Sequence, residues 1–458
     1  MSIATIDPTT GELVREFDEM SEDEVEQRIA LAHEAYLRHR LTGFDERARL
    51  MRAAADLMDS EADGLSETMT VEMGKTRESA RGEIAKCTKT MRYYADNAER
   101  FLADAPGDTA AVKARDAYVK YLPIGPVLAV MPWNFPLWQV VRFAAPALMA
   151  GNVGLLKHAS NVPQCAQYLG DVFTRAGFAE GCFQTLLIGS RRVEAVLRDP
   201  RVQAATLTGS EPAGRSVASI AGDEIKHTVL ELGGSDPFVV MPSADIDRAV
   251  KTAVFARTQN NGQSCIGAKR FIVHADVYDE FGEKFVAGMN ALRIGNPMEH
   301  GVDIGPLATE QGRKDVEALV DPALEAGAKA LCGGKRLDGA GWFYPPTVLT
   351  GITPEMDIYY KEVFGPVASL YRVTDIDEAV ALANVVDFGL GAVAWTEDAD
   401  ERARFIRDLE AGAVTINGMT TSYPELPFGG VKRSGYGREL HAEGIREFCN
   451  AKTVWVGE

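Results

Sequence analysis

From residue 127 the chain alternates short apolar segments with amphipathic ones: VLAVM (127–131), a helix over about 137–150, VGLLK (153–157), a helix over about 162–176, QTLLI (184–188), a helix near 191–198, AATL (204–207), a helix over about 211–222, and HTVLEL (227–232). Strands and helices in strict turn predict right-handed crossovers and a parallel sheet covered by helices. After Gly233 and Gly234 a second run begins at DPFVVM (236–241) and continues through KRFIVH, a helix over 276–292, VASLYRV (367–373), a helix near 376–386, GAVAWT (391–396) and AVTIN (413–417). Two such series in 458 residues exceed what one core organises, so the reading is an α/β protein of two domains with a cleft between them. Ahead of them the pattern is helical: Ser21 opens SEDE, a capping box, followed by Val25, Ile29, Ala32 and Tyr36 at helical spacing, with further helix across 45–60 and 64–100.

Charge and cysteine usage narrow the function. With 66 acidic against 48 basic residues, a net charge of −18 and no basic run, nucleic acid and anionic membranes are not expected partners. The start, MSIATIDPTTGELVREF, has acids and no apolar core segment, so no signal peptide is read there and a cytoplasmic location is expected. Residues 126–156 are apolar, but Pro126, Pro132, Pro136, Pro146 and Asn134 favour strand, loop and buried helix over a membrane span. The six cysteines are scattered without metal-ligand spacing, predicting reduced thiols and no metal. Cys87 and Cys449 fall in helical patterns, Cys165 on a helix, and Cys182 and Cys332 beside turn glycines.

Cys265 differs: it lies in QNNGQSCIGAKRF (259–271), among small and amide residues, and is either a nucleophile or a small buried filler. Glu231 ends an apolar strand, where a carboxyl is either salt-bridged or a base of raised pKa. Asn134, in MPWNFP, either donates to an oxyanion or closes a proline turn. No GxGxxG follows a strand. LTGSEPAG (207–214) instead places Gly209 and Ser210 at a strand-to-helix turn, with Gly214 in the helix, an arrangement able to present backbone N–H groups to a phosphate.

Taken in order along nearly the whole chain, PWNFP, LTGSEPAG, LELGGSDP, NGQSC, EVFGPV and PFGGVKRSGYGRE resemble the aldehyde dehydrogenase superfamily. That resemblance implies two Rossmann-like parallel-sheet domains and a small β oligomerisation flap. It implies a cofactor-binding domain over 1–108 and 127–234, a catalytic domain over 235–426, a flap over 109–126 and 441–458, and a return segment over 427–440. It makes Cys265 the nucleophile, Asn134 with the Cys265 N–H the oxyanion donors, and Glu231 the base that activates water. Gly262 is expected to keep space open above the thiol. Trp133, Lys157, Ser160, Gly209, Ser210, Gly214, Glu362 and Phe364 are the implied NADP or NAD contacts. KHAS has Ser160 where many members carry an acid; losing that carboxylate removes repulsion toward a 2′-phosphate and favours NADP, while the acid Glu194 opposes it.

LLKHASN, LELGGSDPF, AKRF and GGVKRSGYGREL further resemble the succinate-semialdehyde dehydrogenase branch, which implies Arg142 and Ser422 as contacts for a distal carboxylate. Arg142 equally suits a buried salt bridge. At position 259 this chain has glutamine where some members have arginine. The alternatives are another short semialdehyde such as glutarate semialdehyde, acyl transfer to coenzyme A, or a cofactor-binding pseudoenzyme. AYVKYLP (117–123) and FCNAKTVWV (448–456) read as strands of either the flap or an intrachain hairpin, and a homodimer or a homotetramer of dimers is expected.

Overall fold

A computed structural model describes residues 3–457. The first alternating run forms a six-stranded sheet in the order Gly435–Tyr436, His227–Glu231, Ala204–Thr208, Pro126–Met131, Val153–His158, Phe183–Thr185. All neighbours are parallel except the late strand Gly435–Tyr436, which runs antiparallel along Glu231 and Leu230. From Pro126–Met131 the chain steps outward to Val153–His158 and later returns to Ala204–Thr208 on the other side. Strand order reverses there, and the crevice beyond the carboxyl ends of strands at such a reversal is where open α/β sheets bind ligands. Trp133, Asn134, Gly209 and Ser210 follow those two strand ends.

The second run forms a seven-stranded sheet, ordered Lys329–Cys332, Thr347–Thr350, Val367–Val373, Arg270–His274, Pro237–Val240, Gly391–Trp395, Ala413–Ile416. Only Lys329–Cys332 is antiparallel to its neighbour. Its central strands Pro237–Val240 and Arg270–His274 are buried along nearly their whole length because both faces are covered. Val239, Ile272 and Leu349 pack on one face and Phe238, Phe271, Phe285 and Trp395 on the other. The architecture is therefore that of two Rossmann-like α/β units. A third, antiparallel sheet joins Ala105–Pro106, Asp116–Pro123 and Cys449–Val456.

Helices Glu22–His39, Phe44–Ser60, Ala62–Met73 and Arg77–Phe101 share one core with the six-stranded sheet, where Met51, Met58, Met91 and Tyr94 meet Leu128, Val141 and Leu155. The Ser21 capping box forms: Ser21 Oγ accepts from the Glu24 N–H at 3.2 Å, and a Glu24 carboxylate oxygen accepts from the Ser21 N–H at 2.7 Å. Pro126 to Leu156 folds as strand, loop, buried helix Trp138–Ala150 and strand, and no helix among the described residues is long and apolar enough to cross a membrane.

Several elements depart from the periodic reading. The helix expected over 64–100 is two, because Gly74 ends the first in the left-handed region (φ 77°) and Thr76 caps the second. The strand expected over 184–188 stops at Thr185. Cys449 opens a strand rather than lying in a helix, paired opposite Pro123. Helix Glu310–Glu325 and strands Lys329–Cys332 and Thr347–Thr350 have no counterpart in that reading; Pro322 interrupts the helical signal, and one of the strands is a short, mostly exposed edge.

Candidate active site

The loop that carries Cys265 owes its shape to the two asparagines ahead of it. Helix Ile246–Thr258 ends, and Asn260 and Asn261 follow with φ of 56° and 58°, a region that asparagine tolerates better than most side chains. Their amides lock the turn. Asn260 Nδ2 donates to the Asn134 carbonyl (2.7 Å) and the Gln263 carbonyl (3.0 Å). Asn261 Nδ2 donates to the carbonyls of Gly74 (2.8 Å) and Pro306 (2.9 Å), and its Oδ1 accepts from the Gly305 N–H at 2.9 Å. The helix break at Gly74 thus buttresses the cysteine loop. Gly262 does not keep space open above the thiol: at φ 76° its side-chain position would fall on the backbone of Gly365 and Pro366, so glycine is needed for two loops to touch.

Lysine and arginine complete the support. Lys269 Nζ donates to the carbonyls of Ser264 (2.9 Å) and Cys265 (2.7 Å) and pairs with Glu362 at 3.1 Å, tying the cysteine loop to EVFGPV. Fully buried Arg257 donates to the Gly262 carbonyl. Gly233 and Gly234 let this assembly close: a side chain on Gly234 would stand 2.7 Å from the Cys265 carbonyl oxygen, and one on Gly233 would strike the Glu362 carboxylate.

Asn134 sits against the same loop, 4% exposed, with Nδ2 donating to the Gln263 carbonyl at 3.2 Å. An amide nitrogen carries two N–H groups, so one remains for a ligand oxygen. Glu231 is buried at its strand end and neither carboxyl oxygen has a hydrogen-bond partner. Burial, then the nearby Glu439 carboxyl, push its pKa up to about 8. Glu439 is likewise raised by burial, against the pull of Arg142. Burial raises the Cys265 thiol to about 11, opposed by Arg142 and Lys269 and reinforced by Glu362 and Glu231. The resting thiol is therefore protonated near neutrality.

Cys265 opens into a cavity of about 610 Å³ whose walls include Arg142, Ser422, Gln259, Trp138, Phe428 and Lys86. Arg142 stands on helix Trp138–Ala150, whose first N–H groups, from Leu137 and Trp138, both donate to one Glu83 oxygen at 2.8 Å. The salt-bridge reading of Arg142 is realised: its guanidinium is ion-paired with Glu439 and lies over the Phe428 ring at 4.8 Å. It lines the cavity as well.

The groups suited to a dinucleotide gather at the reversal of the six-stranded sheet. Trp133 and Phe364 meet edge to face at 5.8 Å although one lies on a loop after a strand of the six-stranded sheet and the other on a loop before a strand of the seven-stranded sheet. Gly209 donates its N–H to the Glu231 carbonyl at 2.9 Å, and a side chain there would meet only Leu207. Ser210 occupies the N-cap of helix Glu211–Asp223 without capping it, so the first N–H groups of that helix face outward. Gly214 has another role: a side chain there would lie 2.7 Å from Leu232, so it lets helix and strand pack closely. Lys157 is buried, with its pKa lowered by burial, at the strand end just before Ser160. Glu194 is exposed and paired with Arg198 at 2.8 Å, which answers its charge.

The sequence model described as aldehyde dehydrogenase family matches residues 1–454. The chain belongs to the aldehyde dehydrogenase family. It is 66% identical over 456 residues to a Mycobacterium tuberculosis protein named succinate-semialdehyde dehydrogenase [NADP(+)] 1, covering all of both chains. Among solved structures it resembles a succinic semialdehyde dehydrogenase from Streptococcus pyogenes in complex with NADP+, at 37% identity and TM-score 0.97 over all of both chains. It also resembles a succinate-semialdehyde dehydrogenase from Burkholderia pseudomallei, at 36% identity and TM-score 0.96, over 100% of this chain and 95% of that one.

Three residues of this aldehyde dehydrogenase site escaped the sequence reading. Glu439 is visible in GRE, and Lys269 in AKRF, but neither motif says which carboxylate or carbonyl it meets. Lys86 lies in a helix rich in both charges, where a lysine reads as one more solvated side chain.

Proposed function

We propose that this aldehyde dehydrogenase oxidises succinate semialdehyde to succinate with NADP. The observation that carries the proposal is the cavity, which opens on Cys265 and also presents the Ser422 hydroxyl and the cations Arg142 and Lys86, a thiol and a positively charged wall in one enclosure. The printed names of the relatives support the same substrate and cofactor.

In this reading residues 1–108 and 127–234 hold the cofactor and 235–426 carry the cysteine. The donor set fits a phosphorylated dinucleotide: open helix N–H groups beyond Ser210, the cation Lys157, and the hydroxyl of Ser160 in place of a repelling carboxylate. Trp133 and Phe364 flank the ring end, with Glu362 held by Lys269 for the ribose hydroxyls. When bound, NADP supplies the acceptor for the hydride that leaves the aldehyde carbon.

The chain's own groups do the rest. The Cys265 thiol gives its proton up to solvent water as its sulfur bonds to the carbonyl carbon, and the displaced C=O electron pair becomes an oxyanion held by the free N–H of the Asn134 amide and by the Cys265 N–H. After hydride loss the carbon is a thioester. Glu231, with no partner tying either oxygen, takes a proton from water as the water oxygen attacks that carbon; the C–S bond breaks, and the proton passes from Glu231 to the departing sulfur, restoring the thiol and the carboxylate. A kcat/KM panel of succinate semialdehyde, glutarate semialdehyde and butanal, with NADP and NAD, tests the assignment. Succinate semialdehyde with NADP is expected to lead, and a lead for any other pair would overturn it.

We also infer that two chains associate. Ala413–Ile416 ends the seven-stranded sheet and Cys449–Val456 ends the three-stranded one, each with a free backbone edge, and Trp455 is exposed beside the second. Pairing these edges between copies satisfies both, and sedimentation equilibrium should return at least a dimer; a monomer at micromolar concentration would refute it.

A further inference from the structure

Arg142, Lys86 and the exposed Lys251 line the cavity, and the first two are not equivalent. Arg142 is already neutralised by Glu439. Lys86, on helix Arg77–Phe101, has no carboxylate in ion-pair range among the described residues, whereas Lys89 on the same helix pairs with Glu425. The Lys86 ammonium rests over the Trp138 ring at 4.1 Å and donates to Ser422 Oγ at 2.7 Å. Because Ser422 accepts from Lys86, its own hydroxyl proton stays free to donate. The ammonium and hydroxyl thus form a ready pair of donors for one carboxylate, with no carboxylate in ion-pair range of the ammonium among the described residues. Gln259, on the same cavity wall, contributes only a neutral amide.

We propose that Lys86, with Ser422, is the anchor for the distal carboxylate of an ω-oxo acid substrate, supplying the cation that position 259 lacks. This rests on the succinate-semialdehyde reading above and names its specificity determinant. Arg142 then shapes the wall and holds Glu439, while Lys86 takes the incoming charge.

The proposal also implies a pH dependence. Burial, and the like charge of Arg142, draw the Lys86 pKa down to about 8. Facing it are Arg142 and Cys265 across the cavity, and Glu83 and Cys87 from its own helix. The proton is kept below that pH and lost above it, so preference for a charged aldehyde should fall as pH rises past about 8. Comparing succinate semialdehyde with butanal at each pH cancels the titration of Cys265 and Glu231, which act on both.

The test is the ratio of kcat/KM for succinate semialdehyde to that for butanal, at saturating NADP. In Lys86→Met the ratio is expected to fall about 100-fold, through KM for the charged substrate, as for a lost charge-assisted hydrogen bond. Lys86→Arg should restore most of the ratio and abolish its decline above pH 8. NADPH fluorescence titration of each variant checks that the fold still binds cofactor. An unchanged ratio in Lys86→Met, or equal losses on both aldehydes, would overturn the anchor while leaving the substrate assignment standing. A wild-type ratio near one would instead sink the assignment and the anchor together.

Discussion

Cys265→Ala is expected to lower aldehyde oxidation by about 10⁴-fold or more, the loss typical of removing a covalent nucleophile. A methyl group cannot bond to the carbonyl carbon, and no other thiol can take its place. Cys87, Cys165 and Cys182 are buried elsewhere, and Cys332 and Cys449 sit on other strands. Cofactor affinity should survive within about threefold, since Trp133, Lys157, Ser210 and Phe364 keep their positions and the loop is held by Asn260, Asn261 and Lys269 rather than by the sulfur. Stopped-flow absorbance of NADPH, with NADPH fluorescence titration beside it, separates the two effects. Turnover within tenfold of wild type would mean that another group attacks the aldehyde.

Glu231→Gln should separate the two halves of the reaction. The amide has nearly the same shape, and loss of the carboxylate removes one of the charges that raise the Cys265 pKa, so attack and hydride loss are not slowed. Water activation is. One equivalent of NADPH per site should appear in a burst, followed by a steady rate lower by on the order of 10²–10⁴. Loss of the burst together with the steady rate would contradict the role given to Glu231.

The pH profile follows from the same carboxyl. Glu231 must be ionised to act as base, so with burial and Glu439 raising its pKa to about 8, the hydrolytic rate should climb as pH passes that value. Glu439→Gln removes a repelling charge and frees Arg142, both of which favour the ionised form. The midpoint is therefore expected to move to lower pH, and a midpoint that stays or rises would refute this coupling.

Much of the candidate site is legible in the sequence because its residues lie in short motifs at strand ends. An apolar strand that stops at Glu231 before two glycines, or at Met131 before WNFP, announces a turn where a polar side chain must face a ligand or a partner. Cys265 was different. Its local context allowed a filler as readily as a nucleophile, and only the ordered set of motifs through Glu362 and GRE tipped the reading.

Gly262 shows why local reasoning errs even where the motif is right. A glycine beside a reactive thiol suggests open space, but its neighbour is the backbone of Gly365, far away in sequence and invisible to periodicity. Arg142 is similar: its sequence context suits a substrate contact or an ion pair, and the choice depends on where Glu439 arrives on a segment that returns to the first sheet only near the end of the chain.

What the sequence determined by itself is the α/β alternation and the family, and with them which thiol, amide and carboxyl are proposed to act, since these are written in periodicity and contiguous motifs. What only the tertiary structure decided is the electrostatic pairing inside the cavity. Arg142 meets Glu439, and Lys86 meets no carboxylate in ion-pair range among the described residues, because helices and loops distant in sequence converge there, and charge balance within a buried space is a property of that convergence alone.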